Sequence, residues 1–375
     1  MLRYRASALA LAFALAAALA GLAVPAAAAP LSPAQQGAID AIARKQLAAQ
    51  HVSGLTIGIG RNGKVLFARG YGVRDREGRL DADAGTVYAI GSITKQFTAA
   101  AVWLLAQQHR VDVDATVSRY LPGVPHSQRV TVLELLDQIS GYRDYLENDA
   151  LLKSVENSTV GHHPIAYYAG LGANMPLEFP PGSKWGYSNT NYALLGLLIE
   201  RVSGKSYWDF LQHDVLRSRL PNTTYLATSL PPGNDSSQGY TYAKGSYALV
   251  KPYDMSWGNA AGALASTASD LIAWDGLYFG GGIIDAATVR TALAAPRNRA
   301  MVVSKDERNN IAQTYASGWV HGQDEGRKLL WHNGGLIGYR SMNLVYPDGL
   351  EIVVLTNATT ADPENIALEV ARMLY

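Results

Sequence analysis

The 375-residue chain contains no cysteine. Disulfides, a thiolate metal site, a cysteine nucleophile and a lipid-bearing cysteine are therefore excluded, and stability must come from packing. Charge is sparse and balanced: 17% of residues are Asp, Glu, Lys or Arg, and the formal net charge is +1. Nothing in this pattern builds a polybasic stripe, so nucleic acid is not expected as a partner. No H-E-x-x-H pair occurs, and His162-His163 has no companion ligands at metal spacing, so that pair reads as a solvated loop. The G-x-S-x-G motif of the α/β-hydrolase nucleophile elbow is also missing. Beyond residue 29 no apolar run is long enough to span a bilayer.

What is present begins with an unusual start. Arg3 and Arg5 precede an apolar stretch from Ala8 to Val24, then Pro25 and an alanine run with A-x-A patterns ending at Ala28 or Ala29. This is the layout of a secretory signal peptide over residues 1–29, with an uncleaved membrane anchor as the alternative. The expectation is a periplasmic or secreted protein with no stable membrane anchor after cleavage. The remainder, with 48% hydrophobic residues over the whole chain, has enough apolar material for a sizeable core.

The periodicity predicts a helix over Ser32–Gln50, then a hairpin of Leu55–Arg61 and Lys64–Val73 joined by Asn62-Gly63. A helical pattern runs from Ser92 to about His109. Further helices follow at Thr131, where Glu134 completes a capping box, and over Asn189–Val202, Ser206–Arg219 and Thr267–Tyr278. Ser229–Pro252 reads as a long surface loop of the kind that shapes binding sites. Tyr315–Gly322, Lys328–His332, Tyr339–Tyr346 and Leu350–Thr356 read as strands, and Pro363–Leu374 as a closing helix. Strands at both ends of the chain around a helical middle imply an α+β architecture. An α/β lobe of about residues 30–91 and 265–375 shares one antiparallel sheet, flanked by helices, and a mostly helical lobe of about 92–264 is inserted in it. The cleft between lobes is the natural site.

Three short motifs, each occurring once, carry the chemistry: Ser92-Ile93-Thr94-Lys95, Tyr187-Ser188-Asn189 and His332-Asn333-Gly334. Ser92 follows Gly91 at a predicted helix start, and residues three apart share a helical face. Lys95 can then accept the Ser92 hydroxyl proton, provided burial and nearby positive charge keep it neutral. The helix N-terminus favours the oxyanion that forms on attack. The Tyr187 phenol can relay a proton to a leaving group, and Asn189 either holds a substrate amide or caps a helix. Glycines at 334 and 335 let substrate backbone lie against the strand edge beside Asn333. The Gly335 and Ser92 N–H groups can form an oxyanion hole. His332 is expected to donate toward Tyr187 or a substrate carboxylate.

Ile90 to Thr98 resembles the nucleophile segment of the serine β-lactamase and penicillin-recognising superfamily. The similarity is greatest to the branch of class C β-lactamases, D-alanyl-D-alanine carboxypeptidases, D-aminopeptidases and related esterases. Leu135 to Gly141, Gly262 to Leu271 and His332 to Gly338 resemble three further segments of that branch, so the likeness covers nearly all of the chain beyond residue 29. The resemblance implies a β-lactamase/transpeptidase-like fold and no metal or other cofactor. It also implies a Ser92 acyl-enzyme whose base and acid are shared by Lys95 and Tyr187. Substrates would be D-amino-acid peptides, β-lactams or short esters. A penicillin- or wall-peptide-binding protein with little turnover is the competing expectation. Class C β-lactamases carry Lys-Thr-Gly where this chain has His332-Asn333-Gly334, which points toward the carboxypeptidase, aminopeptidase and esterase side. Gln138-Ile139 stands where His-Thr is usual. Arg340, two residues after Gly338, is a candidate partner for a substrate carboxylate.

Overall fold

The computed structural model describes residues 30–230, 235–294, 305–306 and 311–375. The expected signal peptide over 1–29 lies outside the described residues. Among them, no helix is long and apolar enough to cross a membrane.

Helix α1 (Pro33–Ala49) starts where Ser32 accepts from the Gln35 N–H and Gln35 answers in a capping box. Strands β1 (Gly54–Arg61) and β2 (Lys64–Asp75) form the expected hairpin. Asn62 and Gly63 at its tip both take positive φ, 51° and 78°, as a tight two-residue turn between twisted strands requires. A short β3 (Leu80–Asp81) completes this end. The C-terminal part supplies β4 (Thr314–Ala316), β5 (Trp319–Asp324), β6 (Arg327–Leu336), β7 (Tyr339–Val345) and β8 (Leu350–Thr356). Together they make one eight-stranded antiparallel sheet in the order β4-β5-β6-β7-β8-β1-β2-β3. The two sequence-distant halves meet where Leu55–Arg61 pairs with Leu350–Thr356.

Side chains alternate across the sheet. Leu55, Ile57 and Ile59 of β1, with Met342, Leu344, Ile352 and Val354, pack under α1 and the C-terminal helix (Pro363–Leu374). The opposite face carries Val345, Val353 and Leu355 and continues into a larger core that includes helix α2 (Thr94–Gln107) and the helical segments between residues 132 and 279.

The structure departs from the sequence expectations in three places. Tyr315–Gly322 is not one strand: Ser317 and Gly318, both at positive φ, fold it into a tight β4–β5 turn. The Ser206–Arg219 helix is one α-turn, Tyr207–Phe210, that widens into a π-helical turn over Leu211–Leu216. It stops where Arg217 and Ser218 adopt positive φ. Within the expected loop Ser229–Pro252, Tyr240–Ala243 and Ser246–Leu249 pair as a small hairpin.

Candidate active site

Ser92 sits in a single 3-10 turn, Gly91–Ile93, that feeds α2. Sheet bonds fix the turn from both sides: the Ile90 N–H donates to the Leu264 carbonyl at 2.9 Å, and Ser341 Oγ on β7 donates to the Ile90 carbonyl at 2.8 Å. Gly91 takes φ +53°, and a Cβ there would stand 2.8 Å from the Gly335 nitrogen. A Cβ on Gly334 would fall 2.0 Å from the Ile90 carbonyl oxygen. Only glycine permits this approach of strand to turn.

The segment of β6 that does so is free on one edge. Strand β5 pairs with β6 only as far as Trp331, so His332–Leu336 runs beyond its neighbour. Leu336 and Tyr339 close the Ile337-Gly338 turn, and antiparallel bonding alternates from there. The Gly335 N–H consequently points away from β7, toward Ser92. Asn333 and Gly335 are exposed on this strand, whereas His332 and Gly334 are buried.

Lys95 is the second residue of α2, one turn on from Ser92, and is fully buried. Its Nζ contacts three oxygens: Ser92 Oγ at 3.1 Å, Asn189 Oδ1 at 2.8 Å and the Ala261 carbonyl at 2.7 Å. The orientation of the Asn189 amide follows from its other end, where Nδ2 donates to Asp144 Oδ2 at 2.7 Å. Asn189 Oδ1 and the Ala261 carbonyl can only accept, so a neutral amine spends both N–H bonds on them and aims its lone pair at the Ser92 hydroxyl. Burial pushes the lysine down to about 7, while the Asp144 carboxylate opposes the shift. The nearby positive charge expected from sequence is thus replaced by a negative one, and desolvation alone depresses Lys95.

Tyr187 Oη donates to Ser92 Oγ at 2.7 Å. The residue as a whole is 36% exposed, and desolvation of its phenol pushes the hydroxyl well above its ordinary value. Lys95 Nζ lies 4.8 Å from the ring centroid. Ser92 and Lys95 of one segment and Tyr187 of another are therefore brought together. The loop bearing Tyr187 is pinned by the Gln138–Gly141 segment, whose carbonyls at 138, 139 and 141 accept from the N–H groups of Gly186, Gly182 and Glu178. Gln138 Oε1 also accepts from the Ser188 N–H at 3.0 Å and from Asn191 Nδ2 at 2.6 Å. This acceptor is what the Gln138 departure supplies.

Other expectations change. Asn189 places its amide oxygen on Lys95 and one Nδ2 hydrogen on Asp144; it is not the helix cap, since Ser188 precedes the helix Asn189–Ser203 in extended conformation. His332 does not reach Tyr187: its ring nitrogens face Tyr315 Oη at 3.2 Å and the Asn333 carbonyl at 2.6 Å. Arg340 Nη1 donates to the Leu336 and Tyr339 carbonyls at 2.8 and 3.0 Å, clamping the β6–β7 turn. Sequence reasoning missed Asp144, Tyr315 and the Ala261 carbonyl. For Asp144 a signal existed, because Asp144 and Glu147 form a capping box, but nothing local named Asn189 as its partner.

The beta-lactamase family model matches residues 39–374. The chain belongs to the beta-lactamase family. Its likeness to Protein flp of Staphylococcus aureus is 29% identity over 338 residues, 86% of this chain and 63% of that protein, so the chain spans less than two thirds of that relative. Among solved structures, an octameric penicillin-binding protein homologue from Pyrococcus abyssi superposes with a TM-score of 0.78 at 26% identity, covering 90% of this chain and 77% of that one. The D-amino acid amidase from Ochrobactrum anthropi SV3 gives 0.75 at 21% identity, covering 90% and 99%. The fold of this beta-lactamase-family chain is therefore the serine hydrolase fold of the β-lactamase and penicillin-binding superfamily, with Ser92, Lys95 and Tyr187 meeting at one point.

Proposed function

We propose that the protein is an exported serine hydrolase that cleaves amide or ester bonds through a Ser92 acyl-enzyme. One observation carries the reading: the Ser92 hydroxyl is shared between a buried lysine whose other contacts accept only and a phenol at the cleft mouth. Lys95 takes the Ser92 proton as Oγ bonds to the substrate carbonyl carbon. The resulting oxyanion is met by the Ser92 and Gly335 N–H groups at a helix start. The proton passes through the Tyr187 hydroxyl to the leaving nitrogen or oxygen as its bond to carbon breaks, and water then hydrolyses the ester on Ser92. Export rests on the residue 1–29 pattern alone.

Substrates of the reading are D-amino-acid peptides, β-lactams and short esters, and the family supports a penicillin-reactive serine. The experiment is a panel of nitrocefin, p-nitrophenyl esters, D-alanyl peptides and a fluorescent penicillin, read by turnover and by intact mass. Turnover with a transient adduct on Ser92 supports the hydrolase, and a lasting adduct without turnover supports a binding protein. Adduct formation that persists in Ser92→Ala removes the nucleophile assignment.

A further inference from the structure

Asp144 is the charged group nearest in influence to the catalytic amine, yet it does not touch it. Its Oδ2 accepts from both the backbone N–H and the side-chain Nδ2 of Asn189, at 2.9 and 2.7 Å, and Oδ1 accepts from the Leu146 N–H at 2.9 Å. Burial raises the Asp144 carboxyl, but the three donors that converge on it and the Lys95 charge oppose that rise, and none of these contacts is an acceptor for a carboxyl proton, so the geometry fits the ionised form. Asn189 passes the contact on, from Nδ2 on Asp144 to Oδ1 on Lys95.

The other groups around Lys95 are neutral. Ser92 faces it from its own turn, the Tyr187 ring from the preceding loop, and Asn189 and the Tyr192 ring from the helix Asn189–Ser203. The Ala261 carbonyl closes the far side, and on β6 the buried His332 carries its own hydrogen bonds. When Lys95 takes the Ser92 proton, a cation appears in a buried site, which is costly without a partner charge.

We propose that Asp144 is a positioning residue that acts through Asn189 as the counter-charge for the Lys95 ammonium formed during acylation. The amide relay keeps the carboxylate one residue away. Direct contact would hold the resting lysine protonated, and no charge at all would make proton uptake unfavourable. Asp144 thereby sets the balance between a lysine that is neutral at rest and one that can accept a proton. This rests on the Ser92–Lys95 reading above.

The test reads Lys95 itself, without substrate. In protein labelled with 13C at lysine Cε, the Lys95 resonance is assigned by its loss in Lys95→Met and titrated in the wild type and in Asp144→Asn. Removing the charge should move the lysine titration down by about one pH unit. The acid limb of kcat/KM should move with it, and maximal turnover should fall tenfold or more. The exchange variant Asp144→Asn/Asn189→Asp places the carboxylate directly on the amine and should move the titration above the wild type. An unmoved titration in a folded Asp144→Asn, even with lost turnover, overturns the proposal, as does failure of both variants to fold, which would make Asp144 a structural residue. Absence of a wild-type adduct on Ser92 would sink the hydrolase reading and leave the titration result standing.

Discussion

His332 and Tyr315 face each other behind the catalytic cluster, Nε2 to Oη at 3.2 Å. The opposite ring nitrogen, Nδ1, is 2.6 Å from the Asn333 carbonyl, which only accepts, so Nδ1 carries a hydrogen. Tyr192 Oη, 3.4 Å from Tyr315 Oη, spends its own hydrogen on the Leu136 carbonyl at 2.9 Å. Burial, with the Lys95 charge adding, outweighs the Asn333 hydrogen bond and pushes the imidazole down to about 3, so it stays neutral. The expectation that a charged His332 holds a substrate carboxylate, with affinity falling as pH rises through about 6.5, gives way to the opposite one. Substrate affinity should show no histidine limb between pH 5 and 8, and the His332 ring protons should not titrate above pH 5 by NMR. Because the folded value lies below the unfolded one, the stability His332 contributes is present above about 6.5 and lost as pH falls toward 3. A ring titration near 6.5 would refute this.

Tyr187→Phe separates proton relay from packing. The hydroxyl's hydrogen bond is to Ser92 Oγ, so the ring and the melting temperature should be little changed. Turnover of amides should fall by roughly 10²–10⁴. With p-nitrophenyl esters the loss should be far smaller, because that leaving group departs without a proton. Equal losses on both substrate types would mean that Tyr187 does not protonate the leaving group.

Gln138→Ala removes the acceptor for two buried donors, the Ser188 N–H and Asn191 Nδ2. Leaving them unpaired costs on the order of 2–4 kcal/mol. Turnover should fall as well, since Ser188 adjoins Tyr187. Chemical denaturation and kcat on the same preparation check both effects, and an unchanged midpoint would rule out the pinning role.

Glu351, on β8, is 2% exposed and accepts from the Gly63 N–H at 2.8 Å. Burial raises it to about 7 from 4.5, next to Asp275, which burial and the Glu351 charge also raise. A carboxyl raised on folding stabilises fully below its unfolded value, and that contribution disappears as pH rises through the folded value. Here the window is about pH 4.5 to 7. Glu351→Gln keeps an acceptor for Gly63 and removes the charge. It should stabilise the protein by about 1–3 kcal/mol at pH 8 relative to its effect at pH 4. Denaturation midpoints that differ from wild type by the same amount at both pH values would contradict the assignment.

Local rules account for much of the fold. The Ser32 and Thr131 capping boxes and the Asn62-Gly63 turn act over three or four residues, and each formed where its residues stand. Rules of that range do not see the Ser317-Gly318 turn inside an apolar run, because the residues that stabilise it are distant: the Ser317 N–H donates to Asp137 Oδ1 at 3.0 Å, and a Cβ on Gly318 would stand 2.9 Å from the Lys95 carbonyl.

The same division holds for the site. Ser92 and Lys95 lie one helical turn apart, so sequence alone determined their meeting, and the motif spacing marked Tyr187 and the glycines of β6. What lies between those groups was decided by folding. Asn189 became a bridge because Asp144 arrived on its far side, His332 was neutralised by burial, and Arg340 Nη1 was spent on its own turn. A hydrogen bond or a desolvation cost depends on which groups are a few ångströms away in space. Residues far apart along the chain acquire those neighbours only when the sheet and the helices have closed around them.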